Sequence, residues 1–179
     1  MIYDLIYADP PWQYRNRKSR GAAKNHYETL SIDELKELRV HGCTVNEIAA
    51  EDAVLWLWMT APMLPEQLEV PPAWGFEYSG FCVTWVKTNK DGSLFKGPGN
   101  TTRSNAEFLG LFTRGSGLVA EIDVPTVFVS QRKRHSQKPD EIRDTLAQAY
   151  PDARKIELFA REPHDGWNVW GDEIESDWE

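Results

Sequence analysis

Apolar and polar positions alternate in two distinct rhythms along this chain, and the rhythms predict its elements. Residues 2–8 and the continuous run Ala53-Val54-Leu55-Trp56-Leu57-Trp58 read as strands covered on both faces. Phe81 to Val86, Ala106 to Thr113, Thr126 to Val129 and Ile156 to Ala160 read as further strands, rich in β-branched and aromatic residues. Ser31-Ile32-Asp33-Glu34 has the form of a capping box, which predicts a short helix to about Leu38, and residues 44–51 suit a second one. Pro62, Pro65, Pro71 and Pro72 restrict any helix between them to a few turns around Glu66 to Val70. Pro139 suits a first helical turn, with Ile142, Leu146 and Ala149 as its apolar face and an end near Tyr150-Pro151. Alternating strands and helices predict an α/β sandwich, in a single domain over residues 1–179. The polar stretch from Lys87 to Asn105, with Gly92, Gly97 and Gly99, is a loop long enough to carry function.

Four residues at the end of the first strand change the picture. Asp9-Pro10-Pro11-Trp12 contains two consecutive X-Pro steps, which hold Asp9 and Pro10 extended and remove two backbone donors. The result is a rigid strand tip rich in acceptors. An exocyclic amine such as the 6-amino group of adenine is a poor nucleophile, so an enzyme that alkylates it must hold its N–H groups with fixed acceptors. The Asp9 carboxylate and the Pro10 carbonyl suit that task, and the Trp12 ring offers a flat face for a base. The plain alternative is a strand running into a Pro-Pro turn.

Composition and charge narrow the classes. With 41% hydrophobic and 27% charged residues, the chain has a globular balance, and no apolar run approaches the length of a membrane span, so a cytoplasmic protein is expected. Cys43 and Cys82 fit no metal or redox spacing, and the four histidines are scattered, so no metal is expected. The formal charge of -8 argues against simple electrostatic capture of nucleic acid, but the basic residues are clustered. Arg15, Arg17, Lys18, Arg20 and Lys24 follow the strand tip, where phosphates flanking a bound base would lie, and Arg132, Lys133, Arg134 and Lys138 form a second acid-free segment. Either cluster taken alone reads as a solvated loop, and it is the position of the first directly after the strand tip that favours a role for it.

No GxGxxG sequence opens a helix, so a dinucleotide site is weakly supported. A cofactor is better placed between Lys138-Pro139-Asp140-Glu141-Ile142 and Glu157-Leu158-Phe159-Ala160-Arg161, with Lys138 paired to a carboxylate at the helix start and Glu157 or Arg161 on ribose or tail groups. The competing reading makes Glu157 a half-buried strand residue and Arg161 a surface ion-pair partner.

The DPPW string, His26-Tyr27-Glu28-Thr29-Leu30-Ser31, Trp85-Val86-Lys87-Thr88, His135 through Ile142, Arg154 through Arg161, and Gly166-Trp167 through Glu173 occur in the order seen in the MT-A70 family of adenine methyltransferases. The chain resembles a short bacterial or phage member over nearly its whole length. That resemblance implies a Rossmann-like, three-layer methyltransferase fold, the catalytic motif ahead of the cofactor-binding motif, and S-adenosylmethionine as donor. It assigns amine binding to Asp9 and Pro10 within the tetrad that includes Pro11, base stacking to Trp12, and donor contacts to Lys138, Glu157, Phe159 and Arg161. It also places Tyr27 near donor and base, and Asp172 and Glu173 in the donor segment, although Asp172 stands where the family often has asparagine. His164 follows an altered spacer and receives no role. The expected reaction is methylation of adenine in DNA, with RNA as the alternative substrate and a non-catalytic nucleic-acid-binding subunit as the contrasting class. Oligomeric state is not specified.

Overall fold

A computed structural model describes residues 1–14, 29–99, 101–133, 137–171 and 174. In chain order the elements are β1 (Tyr3–Ala8), α1 (Ile32–Lys36), β2 (Arg39–Val40), β3 (Cys43–Thr44), α2 (Val45–Ile48), β4 (Ala49–Met59), a 3-10 turn (Ala61–Met63), α3 (Leu64–Gln67), α4 (Val70–Ala73), β5 (Glu77–Thr88), β6 (Ala106–Arg114), β7 (Val127–Gln131), α5 (Asp140–Ala149), β8 (Lys155–Leu158) and β9 (Asn168–Trp170). Seven strands form one sheet in the order β7-β5-β6-β4-β1-β8-β9, and β2 pairs with β3 separately.

The unbroken apolar runs of β1 and β4 are explained by burial on both faces. Leu5, Tyr7, Val54, Trp56 and Trp58 point to one core, which Ile142, Leu146 and Ala149 of α5 close. Ile6, Ala8, Leu55, Leu57 and Met59 point to the other, against Leu35 of α1, Val45 and Ile48 of α2, and Val70 and Trp74 around α4. Two-residue periodicity thus sorts alternate side chains into two cores, giving a three-layer sandwich of the Rossmann-like methyltransferase type. β1 is parallel to both β4 and β8, while β6 runs antiparallel to β4 and β5. Only the β6 direction is reversed in the main sheet.

The expected capping box forms, with the Glu34 amide donating to Ser31 Oγ and the Ser31 amide to Glu34. A second one, Thr44 with Glu47, starts α2. That helix is shorter than the 44–51 expected, because Ala49 already pairs with Tyr3 and the chain is drawn into β4. The proline-rich segment breaks into the 3-10 turn, α3 and α4, with prolines in their first turns. β5 begins earlier than expected and crosses a register shift between Tyr78 and Cys82, where Gly80 has φ +93°. β8 stops at Leu158 rather than 160, because Phe159 turns into the left-handed region at φ +63°. No helix among the described residues is long and apolar enough to cross a membrane.

Candidate active site

Functional groups converge on the carboxyl edge of the sheet, the usual ligand crevice of open α/β folds. Asp9 follows β1, Thr60 follows β4, Lys87 lies near the end of β5, Arg132 follows β7 and Glu157 lies near the end of β8. The reversed β6 begins at this edge, so it contributes Glu107 from its second residue.

The tip after β1 is held by its own backbone. Trp12 N–H donates to the Pro10 carbonyl at 2.9 Å, closing a three-residue turn about Pro11, and Leu30 N–H donates to the Pro11 carbonyl at 2.9 Å. One acceptor direction at the Pro10 oxygen is therefore occupied, and a carbonyl retains a second. Trp12 does not offer its ring to a base, contrary to expectation. Its residue is only 6% exposed, it packs in the core against the α1 side of the sheet, and its indole N–H donates to the Trp58 carbonyl at 3.0 Å. An indole has enough apolar area to be drawn inside once its single donor finds a partner.

Asp9 sits in an alternating row of charges. Lys138 Nζ lies 2.6 Å from both Asp9 carboxylate oxygens and 3.3 Å from Glu107, and Glu107 also pairs with Lys87. All four side chains are less than a quarter exposed, so these contacts are weakly screened. Burial opposes the charge of Lys138, but the carboxylates of Asp9 and Glu107 outweigh it and hold the ammonium above its usual range. Burial likewise pushes Glu107 up, yet Lys138 and Lys87 hold it below the ordinary carboxylate range. Asp9 is pushed up by burial, opposed by Lys138. We take the pair as ionic, because both Asp9 oxygens face one ammonium that a second carboxylate keeps protonated.

This arrangement corrects the position expected for Lys138. The carboxylate at the start of α5, Asp140, is engaged by Lys133 and by Arg143 at 3.4 Å. Lys138 reaches the β1 tip instead, because α5 packs against β1 and directs the preceding residue toward Asp9.

Beside Asp9 opens a cleft walled by Lys138, Asp140, Arg143, Glu157, Phe159, Arg161 and His164. Burial pushes Glu157 to about 7, despite Arg143 3.4 Å away. Arg143 also contacts the His164 ring, whose protonation is suppressed by burial and then by that guanidinium. The left-handed backbone at Phe159 is uncommon for a non-glycine residue and sits where the chain leaves β8, with its ring edge-on to Trp170 at 5.5 Å. A strained residue and a buried carboxylate at one crevice are the marks of a binding site.

The structure therefore brings together Asp9, Lys138, Glu157, Phe159 and Arg161 around one cleft. Pro10 and Pro11 fix the backbone that follows Asp9, while Trp12 packs in the core. Arg132 is exposed with its guanidinium over the Phe95 ring at 4.4 Å, and Lys133 is committed to Asp140, so it is not the free phosphate ligand expected. Arg15, Arg17, Lys18, Arg20, Lys24, Tyr27, Arg134, Asp172 and Glu173 lie outside the described residues. Glu107, Lys87, Arg143 and His164 were not singled out as site residues by their sequence context. Arg143 did leave a signal, a cation beside Ile142 on the flank of an apolar stripe, where burial needs a partner.

A Rossmann-like sheet whose carboxyl edge joins a proline-fixed carboxylate to a cleft of mixed charge defines a methyltransferase-type site. Residues 3–173 match the MT-A70 family, and the chain belongs to it. It is 32% identical over 96% of its length to the Type II methyltransferase M.MunI of Mycoplasma sp, covering 78% of that protein. It is 28% identical to the human N(6)-adenosine-methyltransferase catalytic subunit METTL3 over 97% of this chain and 28% of the relative. The N6-methyladenosine RNA methyltransferase MTA1 of Cryphonectria parasitica matches at 29% identity over 97% of this chain and 52% of its own length. The chain thus spans less than two thirds of these last two relatives.

Proposed function

We propose that this chain transfers the methyl group of S-adenosylmethionine to the exocyclic 6-amino group of adenine in DNA. The observation that carries the reading is Asp9, fixed by Pro10 and Pro11 at the mouth of the cleft that Glu157, Phe159 and Arg161 line. Those residues fit the donor chemically. Glu157 is a largely buried carboxylate suited to accept from ribose hydroxyls, Phe159 offers a ring to the adenine, and Arg161 and Asp140 match the carboxylate and ammonium of the tail. When bound, S-adenosylmethionine supplies an electrophilic methyl on a sulfonium.

The chain's own groups do the rest. Asp9 and the free acceptor direction of the Pro10 carbonyl hold the two amine hydrogens and aim the nitrogen. With the donor bound, the Asp9 carboxylate would stabilise the positive charge that develops on the nitrogen as it bonds to the methyl carbon and the methyl–sulfur bond breaks to leave a neutral thioether, and the proton lost from nitrogen would pass to Asp9 or solvent. Lys138 occupies that carboxylate in the free protein, and Glu107, 3.3 Å away, gives it a second resting place when the amine arrives. Extrusion of the base from the stack is required, since the cleft edge cannot reach an amine inside a duplex.

DNA is favoured because the chain is 32% identical to the Type II methyltransferase, above the 29% shared with the relative named for RNA methylation. The test incubates labelled donor with separate pools of duplex DNA, single-stranded DNA and RNA, followed by nucleoside analysis. Label on 6-methyl-2′-deoxyadenosine is expected. Label on 6-methyladenosine instead would move the substrate to RNA, and no label in any pool would favour a non-catalytic nucleic-acid-binding subunit.

A further inference from the structure

Burial of Trp12 leaves the target base without the stacking face that its motif position suggests. Among the described residues Trp56, Trp58, Trp74, Trp85 and Trp167 are also buried, and the partly buried Trp170 packs edge-on against Phe159 on the donor side. Two residues beyond Trp12, Tyr14 is 49% exposed. Its hydroxyl donates to Thr60 Oγ1 at 3.2 Å, at the carboxyl end of β4 and beside the β1 tip.

We infer that Tyr14 is the aromatic platform on which the target base stacks, on the β4 and β6 side of Asp9 and opposite the donor cleft. The inference rests on the function proposed above. Its support is a built anchor rather than exposure alone. Gln67 is fully buried and its side-chain carbonyl accepts the Thr60 N–H at 2.8 Å, while its amide donates to Thr60 Oγ1 at 3.3 Å. Thr60 is thereby fixed from beneath, and it in turn fixes the phenol. A ring held by its polar end keeps its apolar face in place while open to solvent, which reduces the ordering cost of binding a base. The ring also looks onto the charge row. Burial raises the Tyr14 phenol, the Thr60 bond opposes this, and Glu107, Lys138 and Asp9 all act on it.

Geometry divides the labour at the crevice. Glu157, Phe159 and Arg161 leave β8 on one side of β1, and Thr60 and Glu107 belong to β4 and β6 on the other. A base lying on Tyr14 would present its amine toward Asp9 from the side opposite the donor, as in-line transfer requires.

Tyr14→Ala, Tyr14→Phe and Tyr14→Trp are compared with wild type using labelled S-adenosylmethionine and the same DNA and RNA pools, with donor affinity by calorimetry and thermal unfolding alongside. Loss of the ring should lower kcat/KM by about tenfold or more, the usual effect of removing one base–aromatic stack. Donor affinity should stay within about twofold, since the ring lies off the donor cleft. The Phe and Trp variants, which keep a flat face but lose the phenol anchor to Thr60, should fall between wild type and Tyr14→Ala. Wild-type kcat/KM in Tyr14→Ala, equal losses in the Ala and Phe variants, or a matching loss of donor affinity would each overturn the inference. If wild type labels no pool, the proposed function falls and this inference with it. If wild type labels a pool and Tyr14→Ala equals it, the inference alone falls.

Discussion

Replacing Glu157 by glutamine should change how stability depends on pH, in a direction set by the burial of one carboxylate. Glu157 is held at about 7 in the folded protein against 4.5 for the free side chain. Below pH 4.5 both states carry the proton and the group has no effect. Between 4.5 and 7 the unfolded chain ionises while the folded one retains the proton, so stability falls as pH rises. Above 7 both are ionised and the loss is complete. At ~1.4 kcal/mol per unit the full excursion is about 3 kcal/mol, a large share of the stability of an ordinary domain. Glu157→Gln abolishes the titration, so the variant should gain on wild type by about 3 kcal/mol across that window. Comparing the two chains by urea unfolding at intervals from pH 4 to 8 isolates this group from other titrations, since those are shared. Donor binding gives a second reading. If ionised Glu157 accepts ribose hydroxyls, wild-type affinity should rise through pH 7 and the variant should show no such step. Parallel stability curves for the two proteins would refute the reasoning and mean that Arg143, 3.4 Å away, keeps Glu157 ionised throughout.

Other groups of the site set further expectations. Asp9→Ala should abolish methyl transfer while donor affinity, followed by calorimetry, changes much less, because Asp9 acts on the amine; retained turnover would remove it from catalysis. Trp12→Ala should cost about 3–5 kcal/mol of stability, seen as a large drop in unfolding midpoint, because it vacates a core position and orphans the Trp58 carbonyl. A small stability change with a large rise in the KM for nucleic acid would return Trp12 to the role of stacking face. Neutralising Arg15, Arg17, Lys18 and Arg20 together should flatten the salt dependence of nucleic-acid binding, by about 0.7–0.9 in log–log slope for each phosphate that no longer meets a cation. An unchanged slope would make that segment a solvated basic surface.

The strands were legible because burial on both faces writes an unbroken apolar run, and the strand tip because two prolines dictate its backbone whatever surrounds it. Short elements were not. The three residues of β9 are too few for any period, and the reach of β4 back to Ala49 depends on pairing with Tyr3, a contact across the sheet rather than a local preference. The same distinction runs through the site. Residue types suited to the chemistry stand out in the sequence, so Asp9, Lys138, Glu157, Phe159 and Arg161 could be named. Their partners do not, since the carboxylate that takes Lys138 lies 129 positions away and a nearer one, Asp140, was the obvious choice. A lone tryptophan is equally ambiguous, as stacking face or core filler, until its N–H finds the Trp58 carbonyl.

What decides these cases is competition for a small number of buried polar groups. Lys133 and Arg143 claim Asp140, which leaves Lys138 to the nearer field of Asp9 and Glu107; Arg143 in turn shares itself between Asp140 and Glu157, 3.4 Å from each, and does not overcome the burial of Glu157. The consequence is one crevice holding two carboxylates in different states. Asp9, in bidentate contact with an ammonium, is kept as an anion ready to meet an amine, while Glu157, whose cation is divided between two carboxylates, is pushed to about 7 by burial. Burial raises both acids, but their cation partners oppose it unequally, and such unequal environments can separate the task of handling charge in the reaction from that of gripping a ligand. On the proposed function, donor binding should be sensitive to pH near 7 through Glu157, and the two effects should separate experimentally, with Glu157 variants changing donor affinity and Asp9 variants changing turnover.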